Sequence, residues 1–163
     1  MNHQEIRGLI SAVVTPFKAD GSIDYRAFEH HVARVASTKG IYGVAVSGHA
    51  GEVLTLTSEE RIAIVASARK VMPKGVKLVA GIASGSMAGL VHEGLIAKQA
   101  GASLSFDPGS FQMIGEMGVP QFLSVTRDLG IDIFLPNKEE GSMLTGGLTD
   151  PSEIAAALGE LYP

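Results

Sequence analysis

Apolar and polar positions along this chain switch repeatedly between short continuous runs and helical spacing. Gly8–Val14 (GLISAVV) is an apolar run stopped by Thr15-Pro16, which predicts a buried strand. Asp24 is placed to cap a helix reaching about Ser37, with Tyr25, Phe28, Val32 and Val35 along one face. Tyr42–Ser47 predicts a second strand. Thr57-Ser-Glu-Glu60 has the form of a capping box, opening a second helix that carries Ile62, Ile64, Val65 and Val71. Lys77–Ile82 predicts a third strand and Ser86–Ala100 a third helix, with Gly101 as its C-terminal stop. Ala102–Asp107 (ASLSFD) predicts a fourth strand, ended by Pro108-Gly109. Residues 111–129 are helical but interrupted at Gly115, Gly118 and Pro120, with Pro120 suited to a first turn. Ile131–Leu135 predicts a fifth strand, ended by Pro136. Lys138–Leu144 and Pro151–Leu161 predict two closing helices.

Five strands separated by helical stretches imply βα units, a parallel sheet and right-handed crossovers. Sites in such sheets lie at the carboxyl ends of the strands. Here those ends are the loops 15–22, 48–56, 83–86, 107–110 and 136–140. No long linker interrupts the series, so residues 1–163 are expected to form a single α/β domain. Its favoured architecture is a five-stranded parallel (βα)5 sheet in a three-layer, flavodoxin-like or Rossmann-like sandwich, which hides the apolar strands within one chain. The alternative is an open half TIM barrel. There the strands run in chain order, the helices share one face, and the bare inner face calls for a homodimer partner.

Composition sharpens this picture. Of 163 residues, 45% are hydrophobic and only 18% are charged, and the mean hydropathy is +0.24. That thin polar skin fits strands buried on both faces. The net charge is −4 and no basic patch interleaves with aromatics, so nucleic acid is not expected as a partner. No run approaches the roughly 18 apolar residues of a membrane span, and MNHQEIRG lacks a signal core, so a cytoplasmic location is expected. Absence of cysteine excludes disulfides and thiolate chemistry. His3, His30, His31, His49 and His92 make no ligand spacing, so neither metal nor cofactor is expected. Met113 and Met117, four apart, read as core filler.

Several motifs in the first part occur in a distinctive order: Ser11-Ala-Val-Val-Thr-Pro-Phe17, Asp20-Gly-Ser-Ile-Asp24, Gly48-His-Ala-Gly-Glu-Val53, Leu56-Thr-Ser-Glu-Glu60 and Val79-Ala-Gly-Ile82. On these, residues 6–102 resemble the dihydrodipicolinate synthase / N-acetylneuraminate lyase family, pyruvate-dependent class I aldolases on a (βα)8 barrel. The resemblance covers about three of eight units. It implies that the 48–52 loop holds pyruvate's carboxylate. Gly48, Gly51 and Glu52 match the pattern, whereas His49 and Ala50 stand where the family usually has hydroxyl residues. The bland alternative is that the glycines shape a tight loop and Glu52 is structural. The resemblance also implies a Schiff-base lysine and a proton-relaying tyrosine from later strands, beyond the matched segment. Lys138 alone lies near the expected active face, and Glu139 and Glu140 beside it oppose a lowered pKa. No catalytic residue is therefore expected.

From residue 103 the motifs change. Ser105-Phe-Asp-Pro-Gly-Ser110, Asp132-Ile-Phe-Leu-Pro-Asn-Lys-Glu-Glu140 and Leu144-Thr-Gly146 resemble the ribokinase-like (PfkB) sugar kinases. That resemblance implies a magnesium and phosphate role for Asn137 and Glu140; the plainer reading is that they cap a short helix. Gly81, Gly85 and Ser86 open another helix and form a candidate anion loop, outside the Walker and dinucleotide patterns. Together the two resemblances predict an engineered chimera, 1–102 joined to 103–163, that is no enzyme. The alternatives are a residual pyruvate aldolase or lyase-like protein, or a weak phosphate or nucleotide binder.

Overall fold

A computed structural model of the chain describes residues 8–99 and 102–162. They divide between Ser84 and Gly85 into two compact units. That boundary precedes the third helix rather than falling at residue 102, where the resemblance changes.

The first unit contains β1 (Leu9–Ala12), α1 (Tyr25–Ala36), β2 (Ile41–Val46), α2 (Ser58–Val71) and β3 (Lys77–Ala80). Local chemistry starts both helices where the sequence places them. The Asp24 carboxylate accepts the Ala27 N–H at 3.0 Å. Thr57 accepts from the Glu60 N–H at 3.2 Å, and the Glu60 side chain accepts from the Thr57 N–H at 2.9 Å. The strands are all parallel in the order β1-β2-β3, with Ser11 opposite Val44 and Val44 opposite Leu78.

Val44 and Val46 of β2, with Val13 just past β1, pack with Phe28, Val32 and Ala36 of α1 and with Ile64 and Ala68 of α2 in one cluster. Both helices thus cover the same face. Strand alternation sends Ile10, Ala45 and Val79 to the other face, where Ile10 and Val79 stay exposed; Val14, just past β1, is 53% exposed. This corrects the sandwich expectation. Two successive right-handed crossovers between strands in chain order put their helices on the same side, and a sandwich needs the winding to reverse. The first unit has the open half-barrel arrangement instead.

The second unit contains α3 (Met87–Gln99), β4 (Ser105–Phe106), α4 (Phe111–Met117), α5 (Val119–Thr126), a 3-10 turn (Arg127–Leu129), β5 (Ile133–Phe134), α6 (Lys138–Leu144) and α7 (Pro151–Leu161). The interruption between residues 111 and 129 falls at Gly118, whose φ of 84° ends α4, and Pro120 sits in the first turn of α5. Ile114, Phe122, Leu144, Ile154 and Leu158 form the core, with Met113 and Met117 packed against it as filler. The Phe106 and Phe134 rings stack with centroids 6.0 Å apart.

The two expected long strands shrink to parallel two-residue segments, Ser105 opposite Ile133 and Phe106 opposite Phe134. The Asp132 carboxylate accepts the Leu104 N–H at 2.8 Å and pairs with Lys98, which holds its pKa below the usual carboxylate range. The described strands form one sheet of three and one of two, so the single five-stranded sheet is absent among them. Ladders of two residues offer too little edge to extend a sheet. The expected end of the third helix at Ala100, its stop at Gly101, and His3 lie outside the described residues. Among the described residues no helix is long and apolar enough to cross a membrane.

Candidate functional site

At the carboxyl ends of β1, β2 and β3 the backbone becomes unusual. Ser47 leaves β2 with φ of 51°, and Glu52 has φ of 57°. A left-handed non-glycine residue costs about 1–3 kcal/mol and persists only where its surroundings over-determine it. Here the surroundings are specific. The Gly51 N–H donates to the Gly48 carbonyl at 3.0 Å, the Glu52 N–H to the His49 carbonyl at 3.1 Å, and the Val53 N–H to the Gly48 carbonyl at 3.1 Å.

Two strand ends clamp this loop from either side. From the end of β1, Thr15 Oγ1 donates to the Gly51 carbonyl at 2.9 Å in a buried contact. From the end of β3, the Gly81 N–H donates to the Val46 carbonyl at 3.0 Å. Gly81 approaches so closely that a Cβ there would lie 1.9 Å from the Ser47 carbonyl oxygen. The base of the loop is buried at Ser47 and Gly51, while His49, Ala50 and Glu52 are exposed. The N–H groups of His49 and Ala50 enter none of the loop's own turns. The result is a buried, hydrogen-bonded base carrying an exposed tip.

The sequence-predicted residues Gly48, His49, Ala50, Gly51 and Glu52 thus form one loop, and Gly81 packs against its start. Gly85 and Ser86 belong to the second unit, where Ser86 Oγ accepts the Gly89 N–H at 3.1 Å at the start of α3. Asn137 and Glu140 meet each other: the Glu140 N–H donates to Asn137 Oδ1 at 3.0 Å and the Asn137 N–H to Glu140 Oε2 at 2.9 Å. This reciprocal capping box opens α6. Substituting Asn137→Ala is therefore expected to lower unfolding free energy by about 1 kcal/mol, read from a urea titration; an unchanged midpoint refutes the capping role. Sequence reasoning missed Thr15 and Ser47, which it used only as strand ends. Their signal was present: a hydroxyl residue closes each of the first two strands, next to the motif loops.

The model of the dihydrodipicolinate synthetase family matches residues 5–105. The chain belongs to that family. Among curated relatives, a 4-hydroxy-tetrahydrodipicolinate synthase of Hydrogenobaculum sp. (strain Y04AAS1) is 32% identical over 134 residues, covering 81% of this chain and 46% of the relative. One from Bartonella quintana (strain Toulouse) is 38% identical over 97 residues, covering 60% of this chain and 33% of the relative. Among solved structures, dihydrodipicolinate synthase from Aquifex aeolicus superposes with a TM-score of 0.62 at 25% identity, covering 80% of this chain and 44% of that one. The chain therefore spans less than half the length of these relatives.

These findings overturn two expectations. An alignment of 134 residues cannot fit within residues 1–102, so similarity to this one family runs past the supposed seam. The engineered chimera without turnover is accordingly replaced by membership of a lyase-type enzyme family, and the expectation that the chain is not an enzyme falls with it. The sugar-kinase resemblance of residues 103–163 gains no support from these matches. The Asn-x-x-Glu pattern on which it leaned is also what a capping box requires, and that is how Asn137 and Glu140 are used.

Proposed function

We propose that this chain is a lyase-type member of the dihydrodipicolinate synthetase family that takes a small α-keto acid, with pyruvate as the first to test, and seats its carboxylate on the 48–52 loop. The observation that carries this reading is the clamped loop itself: two left-handed residues, Ser47 and Glu52, bracket an exposed tip held by the ends of β1 and β3. Strain of this kind concentrates at ligand clamps. Successive main-chain N–H groups can hold an anion, and those of His49 and Ala50 are outside the loop's turns among the described residues. The relatives are named 4-hydroxy-tetrahydrodipicolinate synthase, and the pyruvate chemistry is what the family resemblance implies.

The reading assigns carboxylate recognition to the first unit. Lys77 opens β3, at the end of the sheet away from the loop, and the family resemblance implies a Schiff-base lysine from a strand beyond residues 6–102, so trapping tests whether any lysine of this chain takes that part. Reduction with borohydride in the presence of pyruvate is expected to add one reduced pyruvate to a single lysine, located by peptide mass spectrometry. Amide resonances of Gly48–Glu52 are expected to shift on titration with pyruvate alone. An unchanged mass with shifted loop amides removes the lyase step and keeps recognition. An unchanged mass with unshifted amides overturns the whole reading.

A further inference from the structure

The base of the loop holds a group that its fold does not use. Ser47 is 1% exposed, and its Oγ has no hydrogen-bond partner among the described residues. A serine hydroxyl brings one donor and two acceptor sites, and buried polar groups are bonded in the large majority of cases. An exception needs a reason, and no described residue of this unit bonds the hydroxyl. Thr15, the other buried hydroxyl of the first unit, is satisfied by the Gly51 carbonyl. Ser47 adjoins Gly48, which has no side chain to cover it, and lies two and three residues from His49 and Ala50. Those two positions lack the hydroxyl pair that the family resemblance implies for a carboxylate loop.

We infer that Ser47 is a specificity-determining residue of this loop: its hydroxyl donates to the carboxylate of the α-keto acid, replacing the hydroxyl donors missing at His49 and Ala50. This rests on the proposed carboxylate role of the loop and goes beyond it by naming the donor. Gly51 now packs closely over Ser47, with a Cβ built there falling 3.0 Å from the Ser47 nitrogen. Reaching Oγ requires the 48–51 segment to shift about the two left-handed residues, Ser47 and Glu52, which flank it, and the Thr15 bond to the Gly51 carbonyl to give way. A hydroxyl that is orphaned without ligand and bonded with it favours the occupied state. It also favours an anion over a neutral analogue, because hydrogen bonds to charged groups are the stronger kind.

The test compares the wild-type chain with Ser47→Ala, using pyruvate and its neutral methyl ester as probes, loop amide shifts for affinity and thermal unfolding for stability. The wild type is expected to prefer pyruvate to the ester. Ser47→Ala is expected to bind pyruvate about tenfold more weakly and to lose the preference. Its melting temperature should be at or above the wild-type value, since removing an unsatisfied buried hydroxyl relieves desolvation. Ser47→Ala that binds pyruvate as the wild type does overturns the inference and leaves the carboxylate loop standing. A wild type that ignores pyruvate at millimolar concentration overturns both. A clearly lowered melting temperature assigns the hydroxyl a structural partner and likewise overturns the inference.

Discussion

Alanine in place of Gly81 is expected to destabilise the first unit by about 3 kcal/mol, near the top of the range for overpacked sites. Gly81 does not have a positive φ, so the backbone itself accepts alanine there. On that ground alone the substitution would stabilise by about 0.4–1 kcal/mol, through a less flexible unfolded chain. Space decides the sign instead. The new Cβ would lie 1.9 Å from the Ser47 oxygen and 2.8 Å from the Ser47 carbonyl carbon. Both are main-chain atoms, which cannot rotate away as a side-chain tip would. Relief requires the end of β3 to separate from the 47–52 loop, breaking the Gly81 N–H bond to Val46. A urea titration should show a clearly lowered midpoint with little change in slope, and the loop amides should lose their response to pyruvate. A midpoint equal to or above the wild-type value would mean that the strand ends do not meet as described.

The second large effect separates two isoleucines on one helix. Ile64 is fully buried against the sheet, whereas Ile62 is 71% exposed. Truncating a buried isoleucine to alanine removes its transfer free energy and leaves a cavity, costing about 2–5 kcal/mol. That is a large share of the roughly 5–15 kcal/mol that holds a typical domain folded. Ile62→Ala should stay within about 0.5 kcal/mol, as surface changes do. Comparable losses for the two would place the buried stripe of α2 elsewhere. Apolar content alone groups both residues with the core. Only the rotation of α2 about its axis, which sets Ile64 and Ala68 one turn apart against Val44 and Val46, distinguishes them.

Three helix starts were legible because each depends on a side chain meeting an N–H group three residues away. Asp24, Thr57 with Glu60, and Asn137 with Glu140 all do this where their spacing says they should. The same locality explains the misreading beyond residue 103. A four-residue pattern such as Asn137–Glu140 satisfies a capping box and an enzyme motif equally, and nothing within four residues tells them apart. The short strands were overdrawn for a related reason. Ala102–Asp107 and Ile131–Leu135 each have enough apolar character for a full strand, but a ladder also needs a partner in register. Asp132 uses its side chain to hold Leu104, and only Ser105–Phe106 and Ile133–Phe134 pair.

Of the candidate site, the loop from Gly48 to Glu52 stood out in the sequence because its glycines and carboxylate follow a strand at fixed spacing. Thr15 and Gly81 could not be joined to it that way, each being 33 positions from Gly48 in a chain whose strand order was undecided; Ser47 adjoins the loop, but its burial shows only in the fold. Sequence alone determined the βα alternation, the capped helix starts and the family of residues 6–102, since these depend on neighbours along the chain and on ordered motifs. Tertiary structure alone decided that both helices of the first unit share one face, which leaves the barrel-type inner face open. It also decided that three strand ends converge on a strained loop with an unpartnered hydroxyl beneath it. Which face a helix covers, and which strand ends meet, are set by sheet order and crossover winding, and neither is written in any local stretch of residues.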